Sequence, residues 1–131
     1  MTEYHAPIAD MLFALDHVVG VDDLAQLPAF EDAGLEIVPD LMEEAARFFT
    51  EVVSPLNRAS DTQGARRNDD GSVTTPDGFK EAYAHYVAGG WGAMSFNPEY
   101  GGGGFPWVIG IAVTEMLTAA CMAFSLNPLL T

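Results

Sequence analysis

A run near the end of the sequence constrains the fold more than any other feature. From residue 107 to 124 only Gly110, Thr114, Glu115 and Thr118 interrupt the apolar side chains. A helix that is apolar on every side is either buried in protein or spans a membrane. The run approaches bilayer length. Against a span, Glu115 would lie near the bilayer centre, at a cost of about 2.5–3.5 kcal/mol on the insertion scale. No Lys or Arg follows Lys80, so no basic flank would orient a span. The run therefore reads as a helix wrapped by protein. The short helices before it are too few to surround it, so a second face is expected to be covered by something else. Pro128 is expected to break the pattern. The ending Leu129-Leu130-Thr131 reads as an interrupted polypeptide.

The stretch immediately before is GGWGAMSFNPEYGGGGFP, residues 89–106. Glycine disfavours helices and strands because it loses more freedom than other residues when fixed. An irregular connection is expected here. Trp91, Phe96, Tyr100, Phe105 and Trp107 distinguish it from a flexible linker and predict a packed loop. A dinucleotide-binding turn fails, because Pro106 and Trp107 occupy the positions a third glycine would need and no acidic residue follows at the required interval. No Lys-Ser or Lys-Thr follows the glycines, which excludes a P-loop. Gly92-Ala93-Met94-Ser95 is not a nucleophile elbow.

Helical spacing governs the rest of the chain. Pro7 suits a helix start, and Ile8, Met11, Leu12, Leu15 and Val19 repeat at three- and four-residue steps up to Gly20. Asp22 and Asp23 favour a second, short helix, limited by Pro28. Pro39 fits the first turn of a third. Its apolar stripe is Leu41, Met42, Ala45, Phe48, Phe49 and Val52; on its wet face, Glu43 and Arg47 have pairing spacing. Pro55 ends it. Residues 54–75 are polar and predict a long irregular segment, with a turn at Asp70-Gly71 and a short extended piece at 72–74. Arg66-Arg67 there reads as an exposed pair without a ligand, with anion binding as the alternative. Thr75-Pro76 predicts a capped helix start. Phe79, Ala82, Tyr83, Tyr86 and Val87 share a face beyond it, with His85 outside the stripe.

Composition bounds the function. The 131 residues suit one domain and carry 19 Asp+Glu against 5 Lys+Arg, a net charge of −14. Nucleic-acid binding needs a basic footprint, so it is excluded; the acidity supports solubility or attracts a basic partner. The lone Cys121 cannot form an internal disulfide and reads as a small buried hydrophobe. No basic region followed by an apolar stretch opens the chain, so no signal peptide is expected and a cytoplasmic location is. His5, His17 and His85 lack metal-ligand spacing. Glu115 has two readings: a carboxylate raised in pKa by burial and suited to acid–base work, or a structural group facing a polar gap. The structural reading is preferred.

Several motifs in order carry a resemblance. They are Tyr4-x-Ala6-Pro7-Ile8-x-Asp10-Met11-x-Phe13, Pro76-Asp77-Gly78-Phe79, Gly90-Trp91, Pro98-Glu99-Tyr100-Gly101-Gly102 and Thr114-Glu115 after a proline-started helix. Together they resemble the N-terminal helical domain of an acyl-CoA dehydrogenase, in the long-chain-length branch of that family. The resemblance covers nearly all 131 residues. It implies an all-α helical bundle over residues 1–131, with the irregular glycine-rich loop before a long apolar helix. It implies that the middle β-domain and C-terminal helical domain lie outside the chain. The family's reaction is FAD-dependent α,β-dehydrogenation of acyl-CoA thioesters. Its flavin and catalytic glutamate come mainly from those other domains, so no catalytic or cofactor-binding residue is expected here; Glu115 matches the glutamate of the central helix, not the base. By the same resemblance Phe124, Ser125, Pro128 and Leu129 would wall the far end of the acyl pocket. The implied partners are the acyl-CoA substrate, the rest of the subunit and electron-transferring flavoprotein, in a homo-oligomer. The alternative is a free-standing acidic helical protein-interaction module that recruits a partner through its apolar helix.

Overall fold

The computed structural model describes residues 4–31, 33 and 35–130; Thr131, the last residue of the apolar ending noted above, lies outside them. Helix α1, Ile8–Phe13, continues as π-helical turns at Ala14–Val19 and stops at Gly20. Met11 and Leu15 of its predicted stripe are buried, whereas Val19 is left exposed. The short α2, Val21–Leu24, follows directly. Helix α3, Val38–Phe48, has Pro39 in its first turn, where a missing N–H does no harm, and runs on as a π-helical segment, Phe49–Val53. Met42, Ala45, Phe49 and Val53 along it are completely enclosed. Arg47 pairs with Glu44, one residue nearer than the expected Glu43, in a two-pronged contact with nitrogen–oxygen distances of 3.1 and 2.7 Å. Both three- and four-residue steps bring helical side chains together, and here the shorter one is used.

The polar segment is more regular than its composition predicts. Helix α4, Leu56–Gln63, occupies part of it, and β1, Arg66–Arg67, pairs antiparallel with β2, Val73–Thr74. Helix α4 buries no residue fully, yet Leu56 packs on the core. The expected turn at Asp70-Gly71 is present: the Gly71 N–H donates to the Asn68 carbonyl at 3.0 Å. The next helix starts later than Thr75-Pro76 suggests. Gly78 holds a left-handed φ of 83°, which interrupts a right-handed helix, so α5 spans Phe79–Ala88. Gln63 fastens the preceding turn: its amide oxygen accepts from the Asp77 N–H at 2.9 Å, and its amide nitrogen donates to the Asp77 carboxylate at 3.1 Å.

The glycine-rich loop is packed, as its aromatics predict. Residues 93–96 and 102–105 lie side by side, joined by Gly103 N–H to Ala93 O at 2.9 Å, Phe105 N–H to Met94 O at 2.9 Å and Gly104 N–H to Phe96 O at 3.0 Å. A methyl group at Gly102 would come within 2.1 Å of the Phe96 carbonyl oxygen, so this doubling back admits no side chain there. Phe48, Phe49 and Trp91 cluster with ring centroids 5.3–5.9 Å apart and seat the loop on α3.

The expected single long helix is two. Helix α6, Trp107–Ala120, ends where Cys121 turns extended at φ −158° and ψ 98°, and α7, Met122–Leu130, begins beyond it. Neither glycine nor proline stands at the break. The bend lets α7 lie against both α6 and α4. Pro128 sits inside α7 and does not end it. Among the described residues no helix is long and apolar enough to cross a membrane.

The packing also bears on the excess of apolar surface. Ile109, Val113, Met116, Leu117 and Ala120 of α6 are buried against α3 and its extension. The opposite stripe, at four-residue steps, is bare: Trp107 is 66% exposed, Ile111 61%, and Glu115 and Ala119 are exposed in line with them. Met122, Leu126 and Leu130 carry the exposed surface on along α7.

Candidate functional site

Phe124 is the centre of the candidate site. Its ring packs T-shaped with those of Phe79, Tyr83 and Tyr86, with centroids 5.5, 6.4 and 6.3 Å away. Edge-to-face contacts favour the aromatic quadrupoles and fix the ring orientations. Phe79 and Tyr83 stand four residues apart on α5, as do Leu126 and Leu130 on α7; each pair therefore presents one helical face. Together with Phe124 these faces line an apolar recess of about 610 Å³, in which Lys80 is the single cation. Burial, followed by the neighbouring Tyr83, pushes the Tyr86 phenol above the ordinary tyrosine value of 10.0.

The four residues assigned to the acyl wall do not share one surface. Phe124 is buried at the back of the recess. Ser125 is fully enclosed and donates its hydroxyl to the Met122 carbonyl at 2.8 Å. Pro128 is half-buried and Leu129 is exposed, and neither lines the recess. Phe79, Tyr83, Leu126 and Leu130 were not among the assigned site residues. The stripe spacing on α5 already grouped Phe79 with Tyr83, but only the α5–α7 packing brings them to Phe124.

Glu115 is exposed on α6, so the burial that would have suited it to acid–base work is absent. It lies close enough to Tyr4 for its charge to add to burial in raising that phenol's pKa. The Tyr4 hydroxyl is buried with no hydrogen-bond partner among the described residues. Cys121 is fully buried, with its sulfur 3.8 Å from the Ser60 hydroxyl. Arg66 and Arg67 are exposed on β1. Among the described residues no three His, Cys, Asp or Glu side chains gather as a metal site would require.

A second depression, of about 800 Å³, lies between α3, the end of α5 and the glycine loop, with Glu44, Phe48, His85 and Trp91 in its lining. Neither space suits a flavin dinucleotide. A pyrophosphate calls for basic side chains or free helix-terminal amides. The depression has no Lys or Arg in its lining and sets the Glu44 carboxylate beside His85, and the recess has Lys80 as its one cation beside the polar Thr75 and Asn127.

The described residues thus form a mostly helical fold with an aromatic-backed apolar recess and an uncovered helical stripe. Over 128 residues the chain is 39% identical to 3-methylmercaptopropionyl-CoA dehydrogenase of Ruegeria pomeroyi. That alignment takes in 98% of this chain and 22% of the relative, so the chain spans about a fifth of the relative's length. The chain is thus related, over nearly its whole length, to the acyl-CoA dehydrogenases, as its motifs implied. No family model matches it.

Proposed function

We propose that the chain is the N-terminal helical domain of an acyl-CoA dehydrogenase. The whole protein would carry out FAD-dependent α,β-dehydrogenation of acyl-CoA thioesters, with flavin and catalytic base supplied by polypeptide outside these 131 residues. This domain would contribute the far end of the acyl pocket, with Phe124 and its aromatic neighbours as the wall. One more or one fewer methylene against such a wall changes binding by about 1–3 kcal/mol, so these residues would select chain length and perform no chemistry. Electron-transferring flavoprotein would take the electrons, and the whole protein would be a homo-oligomer.

The bare stripe of α6 is the observation that supports this reading best. Trp107 and Ile111 are more than half exposed on a helix whose other side is core. Apolar surface of this kind marks an interface, and a relative several times longer offers polypeptide to cover it.

Expression of the chain alone tests the proposal. The purified chain is expected to lack the yellow flavin absorbance and to reduce no dye on addition of acyl-CoA. A longer polypeptide that extends this segment to the relative's length should do both. Stoichiometric FAD on the isolated chain would overturn the division of labour. A stable, soluble monomer that melts cooperatively would favour the free-standing interaction module.

A further inference from the structure

A third groove, separate from the two spaces described above, lies where α1 and its π-helical extension face α2 and the start of α3; its volume is about 500 Å³. Leu15 and Leu35 are buried in its floor, and Phe13, 60% exposed, stands at its edge. Three exposed carboxylates, Asp16, Asp22 and Glu36, complete the lining. Among the described residues no Lys or Arg pairs with any of them; Asp16 meets only His17, at 3.3 Å. Arg47 is the only Lys or Arg in the first 51 residues, and Glu44 already holds it. The groove thus combines an apolar floor with negative charge that no Lys or Arg among the described residues compensates.

We propose that this groove docks a basic amphipathic segment of a partner protein, one or two bulky apolar side chains entering between Phe13, Leu15 and Leu35 while Lys or Arg residues meet Asp16, Asp22 and Glu36. Charge complementarity selects this occupant. A second copy of the chain, at net charge −14, and an anionic membrane surface would both be repelled. Steering by the carboxylates speeds encounter, and the apolar floor supplies the hold that salt does not screen. The inference does not rest on the acyl-CoA dehydrogenase reading.

The test uses the 131-residue chain, labelled with 15N, and a designed helical peptide of Leu and Lys at amphipathic spacing. Oligolysine of equal charge is the control. At physiological salt the amphipathic peptide is expected to shift the amide signals of residues 12–22 and 35–38, and to bind at least about tenfold more tightly than oligolysine, because only it fills the floor. Asp16→Asn/Asp22→Asn/Glu36→Gln should weaken binding about tenfold or more. Asp61→Asn/Glu81→Gln/Glu99→Gln, which removes the same charge elsewhere, should weaken it less than threefold. Equal weakening by the two triple variants would reduce the effect to net charge and overturn the proposal. Equal affinity for oligolysine would also overturn it, as would shifts centred on Trp107, Ile111 and Leu126, where the bare stripe lies. Dimer formation by the free chain through residues 12–22 would make a second copy the occupant and reject the basic segment.

Discussion

Tyr86 shows how one residue links packing to pH. Its phenol is held above 10.0 chiefly by burial, and then by Tyr83. A raised pKa means that the folded state favours the protonated form. The contribution is therefore fully present below the unfolded value and is lost as pH rises through the folded one. Stability of the chain should fall above about pH 10, and Tyr86→Phe should lose less over the same range, as followed by denaturant melts. Tyr4 acts in the same direction, through burial first and the charge of Glu115 second. At this scale the sequence was partly legible. The burial of Met42, Ala45 and Phe49 followed from helical spacing, and that of Cys121 from its place as a small apolar side chain in an apolar run. The need for glycine at 102 did not, because its cause is a carbonyl six residues back, brought near only by the doubled loop.

Among the elements, α6 carries the sharpest expectation. Its inner face is core and its outer face is bare, so one substitution should behave oppositely in two settings. Ile111→Gln in the isolated chain should leave stability within about 0.5 kcal/mol, as surface changes do, and reduce aggregation and apolar-dye binding. In a longer protein that covers the stripe, the same change should cost about 1.5–3 kcal/mol, the worth of a buried isoleucine. Urea denaturation of both proteins checks this. Helices α1, α3 and α5 were legible from apolar periodicity. Helix α4 was missed because its stripe is weak: Leu56 is its main anchor, and the contact with α7 steadies the rest. The break at Cys121 was hidden for a related reason. Apolar residues stand on both sides, and only the path of α7 across α4 requires the bend.

Across the molecule, charge is the unbalanced quantity. Nineteen acidic against five basic residues give −14, and one Lys/Arg–carboxylate pair, Arg47 with Glu44, is made among the described residues. Self-repulsion opposes the compact state, and salt screens it over about 10 Å at 0.1 M. Raising NaCl from low ionic strength to about 0.2 M should therefore stabilise the chain, on the order of 1 kcal/mol, as an upward shift of the thermal midpoint. A chain with balanced surface pairs would show the opposite trend.

The residues alone determined the helical class, the packed glycine loop, the excess of apolar surface on the last helices and the relation to the acyl-CoA dehydrogenases. These rest on periodicity, backbone permissiveness and motif order, which are local properties of the chain. Tertiary structure decided which face of α6 is bare, that Phe124 gathers Phe79, Tyr83 and Tyr86 while Leu129 does not join them, and that Asp16, Asp22 and Glu36 rim one groove. Each depends on contacts between elements distant in sequence, and spacing within one helix does not say which neighbour its faces will meet.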